Sequence, residues 1–354
     1  GVISAVDPAD GETTKTVTIN SDGKDEQIEL QPVQNFNDIS SEEMLERICE
    51  AGIVSTGKSP ISICAKLKSL RDKKVDSVIL NGCAADLYVS ANYSVIMEYG
   101  QKVLSGMEII NRILSPSAVY ITMEDYHEAA MAHLEKLITE SEYDFKIVPV
   151  KVKYPPGEER LIVKTVLGKD VPCDGMPEDA GAAVFDVGSA KAVSEAVMED
   201  RPFIDRVVTV NGLVRSPGNL LVRFGTSIGK LIEYCGGSTK ENIQVVINGT
   251  VNGTALYNLE TPLDKNCDCV LVNENKPLQI MGCINCGRCV DVCPVGLMPN
   301  YYSRLVEAGR YAECREYYVE NCIECGACAY VCPSNIPVVE YVKIAKMELG
   351  KKFC

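Results

Sequence analysis

The stretch CINCGRCVDVCP, residues 283–294, has the same cysteine spacing as CIECGACAYVCP, residues 322–333. Both follow the pattern C-x₂-C-x₂-C-x₃-C-P. Bacterial ferredoxins hold [4Fe–4S] clusters with this spacing: the three close cysteines ligate one cluster, and the fourth ligates the other. Two complete runs therefore predict two [4Fe–4S] clusters in an α-helical, ferredoxin-type domain at the end of the chain.

The exchange of the fourth cysteine divides the eight cysteines into two sets. The first predicted cluster is held by Cys283, Cys286, Cys289 and Cys332, and the second by Cys322, Cys325, Cys328 and Cys293. Gly287 and Gly326 occupy matching positions, where a residue without Cβ lets the backbone turn close to a cluster. Zinc is the alternative metal, but zinc sites built from cysteine pairs would leave the other cysteines without a role. Between the runs, residues 300–320 show a helical pattern.

Composition limits the remaining possibilities. The chain has 354 residues, enough for two to four domains, and its net charge of −14 argues against a nucleic-acid partner. Seventeen cysteines without a signal peptide indicate metal binding in a reducing compartment, so we expect a cytoplasmic protein. No apolar run reaches the roughly 18 residues of a membrane span, which leaves peripheral association with a membrane complex as the alternative.

The middle of the chain predicts an α/β domain followed by a smaller α+β domain. Strand-like segments such as DSVILNG (76–82) and AVYITME (118–124) alternate with helical segments up to residue 200, which predicts a largely parallel sheet covered by helices. Residues 206–273 predict a small sheet packed on one helix. Residues 1–34 have β character, with the period-two alternation of KTVTIN.

Residues 52–59 match the phosphate-loop pattern G-x-x-x-x-G-K-S. A phosphate loop follows a buried strand, whereas here ISSEEMLERICEAG (39–52) predicts a helix capped by Ser40 and Glu43 and ended by Gly52. Pro60 also disfavours helical geometry directly after the loop. We therefore interpret the match as coincidental and predict no triphosphate site.

Over almost its whole length the chain resembles the C subunit of the Rnf electron-transport complex and its soluble relatives. Similar motifs are KYPPGEER (153–160), VPCDGMP (171–177), RPFIDRVVTVNGLV (201–214) and NCIECGACAYVCPSNIPVVEYVKIAK (321–346). The resemblance implies a remnant of a barrel-sandwich segment at 1–34, so the chain would begin partway through it. It further implies an FMN-binding-like α/β domain at 35–203, like that of the complex I flavin subunit. A β-grasp (SLBB) domain at 204–274 and the two-cluster domain at 275–354 follow.

In that family a glycine-rich loop cradles FMN and admits NADH, and STGKSPISICAKL (55–67) is similar to it. The resemblance implies cofactor-binding roles for Gly57, Lys58, Lys66, Asn81, Asp86, Tyr88 and Asp186. However, Ser55 and Lys58 replace loop glycines, and Ala84 replaces a carboxylate. Added side chains narrow the space for a flavin, so the sequence leaves FMN binding and NADH binding open.

Cys64 lies in this loop and Cys83 in the motif NGCAADLY (81–88), so they are candidates for a catalytic redox pair. The alternative is that both fill the core. The resemblance implies an oxidoreductase component that relays electrons, from NADH through FMN where those bind, to a protein partner. Partners in the family include proline reductase, ferredoxin and other Rnf subunits. The alternatives are an NADH-oxidising subunit at the membrane and a docking scaffold whose flavin domain has lost its cofactor.

Overall fold

The computed structural model describes residues 2–8, 15–24, 26, 28–56, 60–173, 175–251 and 253–350. The chain divides into two compact units, residues 1–32 and 33–354. In the first unit, β1 (Val2–Pro8) and β2 (Lys15–Asn20) pair as an antiparallel hairpin in which Val6 lies opposite Val17. The β character predicted for this part of the chain is confirmed.

A four-stranded parallel sheet forms the centre of the second unit. Its order is β5-β4-β3-β6, with β3 (Ser77–Asn81), β4 (Ala118–Glu124), β5 (Phe145–Val150) and β6 (Ala182–Asp186). The strands are short, rich in Val and Ile and mostly buried, as expected for a sheet covered on both faces. The register places the last residue of β3, Asn81, opposite the last residue of β6, Asp186.

Six α-helices accompany this sheet in the part of the chain that the structure describes. They are α1 (Ser41–Ala51), α2 (Ile63–Lys73), α3 (Ala91–Leu114), α4 (Glu128–Ser141), α5 (Glu159–Leu167) and α6 (Val187–Glu199). The predicted start and end of α1 are confirmed: the Ser40 hydroxyl accepts from the Glu43 amide at 3.2 Å, and Gly52 takes a left-handed φ of 66°. α3 packs tightly on α6, where a Cβ at Gly106 would overlap the Ala190 carbonyl oxygen.

The next part of the chain forms a mixed five-stranded sheet in the order β10-β9-β11-β7-β8. The strands are β7 (Asp205–Gly212), β8 (Gly218–Arg223), β9 (Ile243–Ile247), β10 (Thr254–Leu256) and β11 (Cys269–Glu274). β11 runs parallel to β7 and antiparallel to β9. Together with α7 (Ile228–Tyr234) they enclose a separate apolar core, which confirms the predicted small sheet on one helix.

The C-terminal part is helical: α8 (Arg288–Asp291), α9 (Pro299–Glu307), α10 (Ala327–Tyr330) and α11 (Val338–Gly350). The helical pattern of residues 300–320 is only partly realised as α-helix. α9 ends at Glu307, Gly309 takes a φ of 68°, and the short 3₁₀ helices Tyr311–Tyr317 and Val319–Asn321 follow. Among the described residues, no helix has both the length and the apolar character of a membrane span.

Candidate functional site

Two cavities in the C-terminal part are each lined by four cysteines. The outer cysteine cavity, about 420 Å³, is lined by Cys283, Cys286, Cys289 and Cys332. The inner cysteine cavity, about 360 Å³, is lined by Cys293, Cys322, Cys325 and Cys328. Each cavity is thus lined by the three close cysteines of one run and the fourth cysteine of the other.

The local fold of each run repeats. Gly287 and Gly326 take left-handed φ angles of 78° and 82° and start the one-turn helices α8 and α10, which aim successive cysteines at one cavity. Backbone amides also point at sulfur: the Leu297 amide lies 3.3 Å from the Cys293 sulfur. Such contacts stabilise thiolate ligands of iron–sulfur clusters.

Four sulfurs around a roomy, largely apolar cavity suit a cubane cluster. Each cysteine set brings three cysteines of one run and the fourth cysteine of the other to one cavity. Burial raises the pKa of the Cys328 thiol to about 12, because a thiolate there has lost water. Positively charged iron would supply the charge that makes the thiolate stable.

The two cavities differ in exposure. Cys325 and Cys328 of the inner cavity are each 8% exposed, whereas Cys286 of the outer cavity is exposed. Beside the outer cavity, the apolar side chains of Ile280 and Ile284 are 60% and 68% exposed. The inner cavity therefore has two buried and two half-buried cysteines, whereas the outer cavity has one cysteine at the surface.

The inner cavity meets both other domains at one junction. The Tyr154 hydroxyl, from the α/β domain, donates a 2.6 Å hydrogen bond to the carbonyl oxygen of Cys325. From the five-stranded domain, Val251 comes so close that a Cβ at Gly326 would lie 2.5 Å from its carbonyl oxygen. The carboxylate of Asp86 accepts from the amides of Thr250 and Val251 at 2.8 and 3.2 Å. We call these contacts the three-domain junction.

Asn81 and Asp186, opposite each other in register, mark the carboxyl edge of the parallel sheet, where ligands of α/β folds bind. The Asn81 amide donates to the Gly157 carbonyl oxygen at 2.8 Å. The Asp186 carboxylate accepts from the Ser189 amide at 2.9 Å and from the Thr56 amide at 3.3 Å. These donors, at the start of α6 and in the loop before α2, would suit a phosphate. In this structure both amides donate to the carboxylate of Asp186 instead.

The Lys66 side chain contacts β6 near the same edge of the sheet. Its ammonium donates to the Val184 carbonyl oxygen at 2.5 Å and lies 3.8 Å from the Glu159 carboxylate. Burial raises the pKa of Glu159, partly offset by Lys66. Gly57 and Lys58, the other predicted loop residues, lie outside the described residues. Lys66 and Asp186 are therefore brought to the edge with Asn81.

Asp86 and Tyr88 have different surroundings. The Asp86 carboxylate accepts from residues 87, 250 and 251 and also lies against the Tyr154 hydroxyl, so it serves the three-domain junction. Tyr88 is 65% exposed, and its carbonyl oxygen accepts from the Asn211 amide at 3.2 Å. No described side-chain contact joins either residue to the other predicted cofactor residues at the sheet edge.

Cys64 and Cys83, the candidates for a redox pair, are not bonded to each other. Cys64 forms a disulfide with Cys49, across a sequence separation of 15 residues. Cys83 is 1% exposed, and burial raises the pKa of its thiol to about 12, with Glu124 adding to the shift. A thiol that resists ionisation is a poor nucleophile, so Cys83 fits the core-filling alternative.

Three residues of the site escape the sequence analysis. Glu124 ends β4, is 2% exposed and accepts from the Ala84 amide at 2.7 Å. Its position at the end of a buried strand is the sequence signal that could have identified it. Tyr154 lies in the motif KYPPGEER, without any sequence sign that it reaches the cysteine cavities. Arg206 is buried with its Nε lacking a hydrogen-bond partner, and one of its terminal nitrogens lies 3.7 Å from the Asp186 carboxylate.

Comparisons with known proteins agree with this arrangement. Family models match at residues 48–195 (Nuo51 FMN-binding domain), 207–254 (SLBB domain) and 282–336 (4Fe-4S dicluster domain). The C subunit of the proton-translocating ferredoxin:NAD(+) oxidoreductase complex from Clostridium ljungdahlii is 36% identical over 312 residues, which are 86% of this chain and 67% of that protein. The C subunit of the ion-translocating oxidoreductase complex from Pseudomonas aeruginosa is 35% identical over 97% of this chain and 45% of that protein.

Among solved structures, an NAD⁺-reducing [NiFe]-hydrogenase in its H₂-reduced state aligns with a TM-score of 0.59 at 14% identity. The alignment covers 90% of this chain and 63% of that one, and it shows a shared fold. The domains and their order define an iron–sulfur protein with a complex I flavin-subunit-like domain. The chain belongs to the family of C subunits of ion-translocating oxidoreductase complexes, the family that its sequence resembles. It spans about half the length of several of these relatives.

Proposed function

We propose that this chain is an electron-transfer component of an oxidoreductase system, which relays single electrons through two [4Fe–4S] clusters. The observation that carries the proposal is the grouping of eight cysteines around two adjacent cavities, with the fourth cysteine of each run exchanged. Iron–sulfur clusters carry electrons, and the protein sets where electrons enter and leave. The domain limits that we propose are residues 35–203, 204–274 and 275–354.

The cavity linings support an assignment of ligands. We assign Cys283, Cys286, Cys289 and Cys332 to the outer cluster and Cys293, Cys322, Cys325 and Cys328 to the inner cluster. The chain's own contribution is to fix the sulfurs through the turns at Gly287 and Gly326, and to exclude water from the inner cavity.

The order of transfer follows from exposure. The inner cavity is buried and touches the α/β domain through Tyr154, so electrons enter there. The outer cavity reaches the surface, so electrons leave there for a partner. The acceptor would cover the exposed apolar side chains near Ile284, and the net charge of −14 favours a partner with a basic surface. Proline reductase, a ferredoxin and the other subunits of a membrane complex are the candidates.

The electron donor would bind at the carboxyl edge of the sheet. FMN is the candidate there, and Lys66 and Asn81 would help to hold it; NADH would be the source of electrons. FMN would have to displace Asp186 from the amides of Thr56 and Ser189. That occupied position favours a second function, in which the α/β domain docks a partner that delivers electrons directly to the inner cluster.

Anaerobic purification tests the proposal. About eight irons per chain are expected for two cubane clusters, with reversible bleaching by dithionite; zinc, or far fewer irons, would overturn the relay. Flavin fluorescence and NADH-dependent viologen reduction then separate the two donor arrangements. Cys286→Ser in the outer cluster is expected to abolish transfer to an added acceptor while the inner cluster remains reducible. The matched Cys325→Ser is expected to remove the inner cluster.

A further inference from the structure

The Cys49–Cys64 disulfide is a feature that cluster relay does not use. It joins the last turn of α1 to the first turn of α2, and Arg71 on α2 also pairs with Glu42 on α1 at 3.2 Å. Cluster ligands must be thiolates, so the chain works where thiols stay reduced. Disulfides in such surroundings are usually catalytic or sensing rather than structural.

Cys49 and Cys64 are less deeply buried than the core cysteines Cys235 and Cys267. Cys49 and Cys64 are both half-buried. By contrast, Cys235 and Cys267 are 2% and 1% exposed, and burial raises the pKa of both thiols. Buried thiols of that kind are inert, whereas half-burial leaves the bonded pair within reach of a partner thiol.

The surroundings of the two sulfurs differ in how well they stabilise a thiolate. Cys64 is the second residue of the 11-residue helix α2, where the positive end of the helix dipole stabilises a thiolate, and Lys68 lies one turn further on. Cys49 is near the end of α1, where the dipole is negative, and the exposed Glu46 lies one turn before it. Cys64 is therefore the better leaving group when the bond opens.

We propose that Cys49 and Cys64 form a thiol–disulfide exchange site for a dithiol substrate. A thiolate of the dithiol attacks the Cys49 sulfur, the Cys49–Cys64 bond breaks, and Cys64 leaves as a thiolate that takes up a proton. The second thiol of the substrate then attacks the substrate sulfur that is bonded to Cys49. The mixed disulfide breaks, and Cys49 is released as a thiol. The dithiol loses two electrons and two protons and becomes a disulfide, and the protein gains two thiols. An external disulfide drives the reverse reaction.

The test uses the cluster-loaded protein. It is equilibrated anaerobically with graded ratios of reduced to oxidised dithiothreitol, quenched in acid and alkylated, and the peptides are read by mass spectrometry. The Cys49 and Cys64 peptides are expected to switch together and reversibly between linked and doubly alkylated forms, with the cluster absorption unchanged. A bond that opens only after unfolding, or two cysteines alkylated under every condition, would overturn the proposal.

A second measurement tests the inequality of the sulfurs. At neutral pH, Cys64 in the Cys49→Ser variant is expected to react with iodoacetamide about threefold to tenfold faster than Cys49 in Cys64→Ser; equal rates would contradict the assigned roles. A comparison of thioredoxin with dithiothreitol at equal dithiol concentration distinguishes a protein dithiol from a small-molecule dithiol. Faster opening by thioredoxin indicates a protein dithiol, and faster opening by dithiothreitol a small one.

Discussion

The hydroxyl of Tyr154 lies 2.6 Å from the carbonyl oxygen of Cys325, and this hydrogen bond joins the α/β domain to a residue of the inner cysteine cavity. Burial raises the pKa of Tyr154, with Asp86 adding to the shift, so the phenol keeps its proton and remains the donor. The bond is a direct link between the proposed donor domain and a proposed cluster ligand.

Tyr154→Phe removes this hydrogen bond while keeping the ring. We expect the free energy of unfolding to fall by about 1 kcal/mol. We expect the potential of the inner cluster to become more negative, because the hydroxyl no longer offsets the negative end of the Cys325 carbonyl dipole beside the cluster. A redox titration followed by electron paramagnetic resonance measures this. The outer cluster is the internal control, and Tyr234→Phe, at a 79% exposed tyrosine, is the matched variant. An unchanged inner potential would contradict the prediction.

Asp86→Ala tests the three-domain junction. The carboxylate accepts from several backbone amides, and its loss leaves them without partners in a buried place. We expect the free energy of unfolding to fall by roughly 2–3 kcal/mol, as measured by anaerobic denaturant unfolding. Asp76→Ala is the control, because the Asp76 side chain is 72% exposed and lies 3.8 Å from Lys169; we expect a change of about 0.5 kcal/mol or less. Equal effects of the two substitutions would argue against the junction.

Gly326→Ala and Gly287→Ala form a matched pair. Both glycines have left-handed φ angles, which cost about 1 kcal/mol or more for alanine. Only at Gly326 would the new Cβ also meet a backbone atom, 2.5 Å from the Val251 carbonyl oxygen. We therefore expect Gly326→Ala to be the more destabilising and to lower inner-cluster occupancy by more than Gly287→Ala lowers outer-cluster occupancy. Iron content and unfolding together measure the difference, and similar behaviour of the two variants would be the contrary result.

Asp268 predicts a pH dependence. Burial raises its pKa to about 6, although Arg206 opposes the shift. Between about pH 4 and pH 6 the folded state holds a proton that the unfolded state has released, so this residue makes the protein less stable as pH rises through that window. Asp268→Asn removes this titration. We therefore expect the free energy of unfolding of the variant, minus that of the native chain, to rise by about 1 kcal/mol between roughly pH 5 and pH 8. Denaturant unfolding at both values measures it, and a pH-independent difference would refute it.

The sequence predicts the parts of the molecule that local spacing controls. The cysteine runs predict the grouping around two cavities because each run is a compact turn whose geometry depends on few neighbours. Ser40 and Gly52 predict the limits of helix α1 for the same reason. The alternation of apolar strands and helices predicts the parallel sheet, and with it the meeting of Asn81 and Asp186 at one edge.

The sequence cannot predict contacts that depend on how the domains pack. Tyr154 and Cys325 are separated by 171 positions, and nothing in either motif marks them as partners. The resemblance assigns Asp86 to a cofactor, but its carboxylate serves the loop at residues 250–251. Cys64 and Cys83 both lie in flavin motifs, whereas packing of α1 on α2 brings Cys64 to Cys49. Burial and long-range register decide such partners, and neither is visible in a single sequence.

The enclosure of the inner cavity has a consequence for biogenesis. Cys325 and Cys328 are covered in the folded chain, and Val251 closes against Gly326. We expect iron and sulfide to be inserted more readily at this position before the domains pack together. The maturation machinery would meet a partly opened chain, and the inner centre, once installed, would be shielded from the oxidants that reach its surface neighbour.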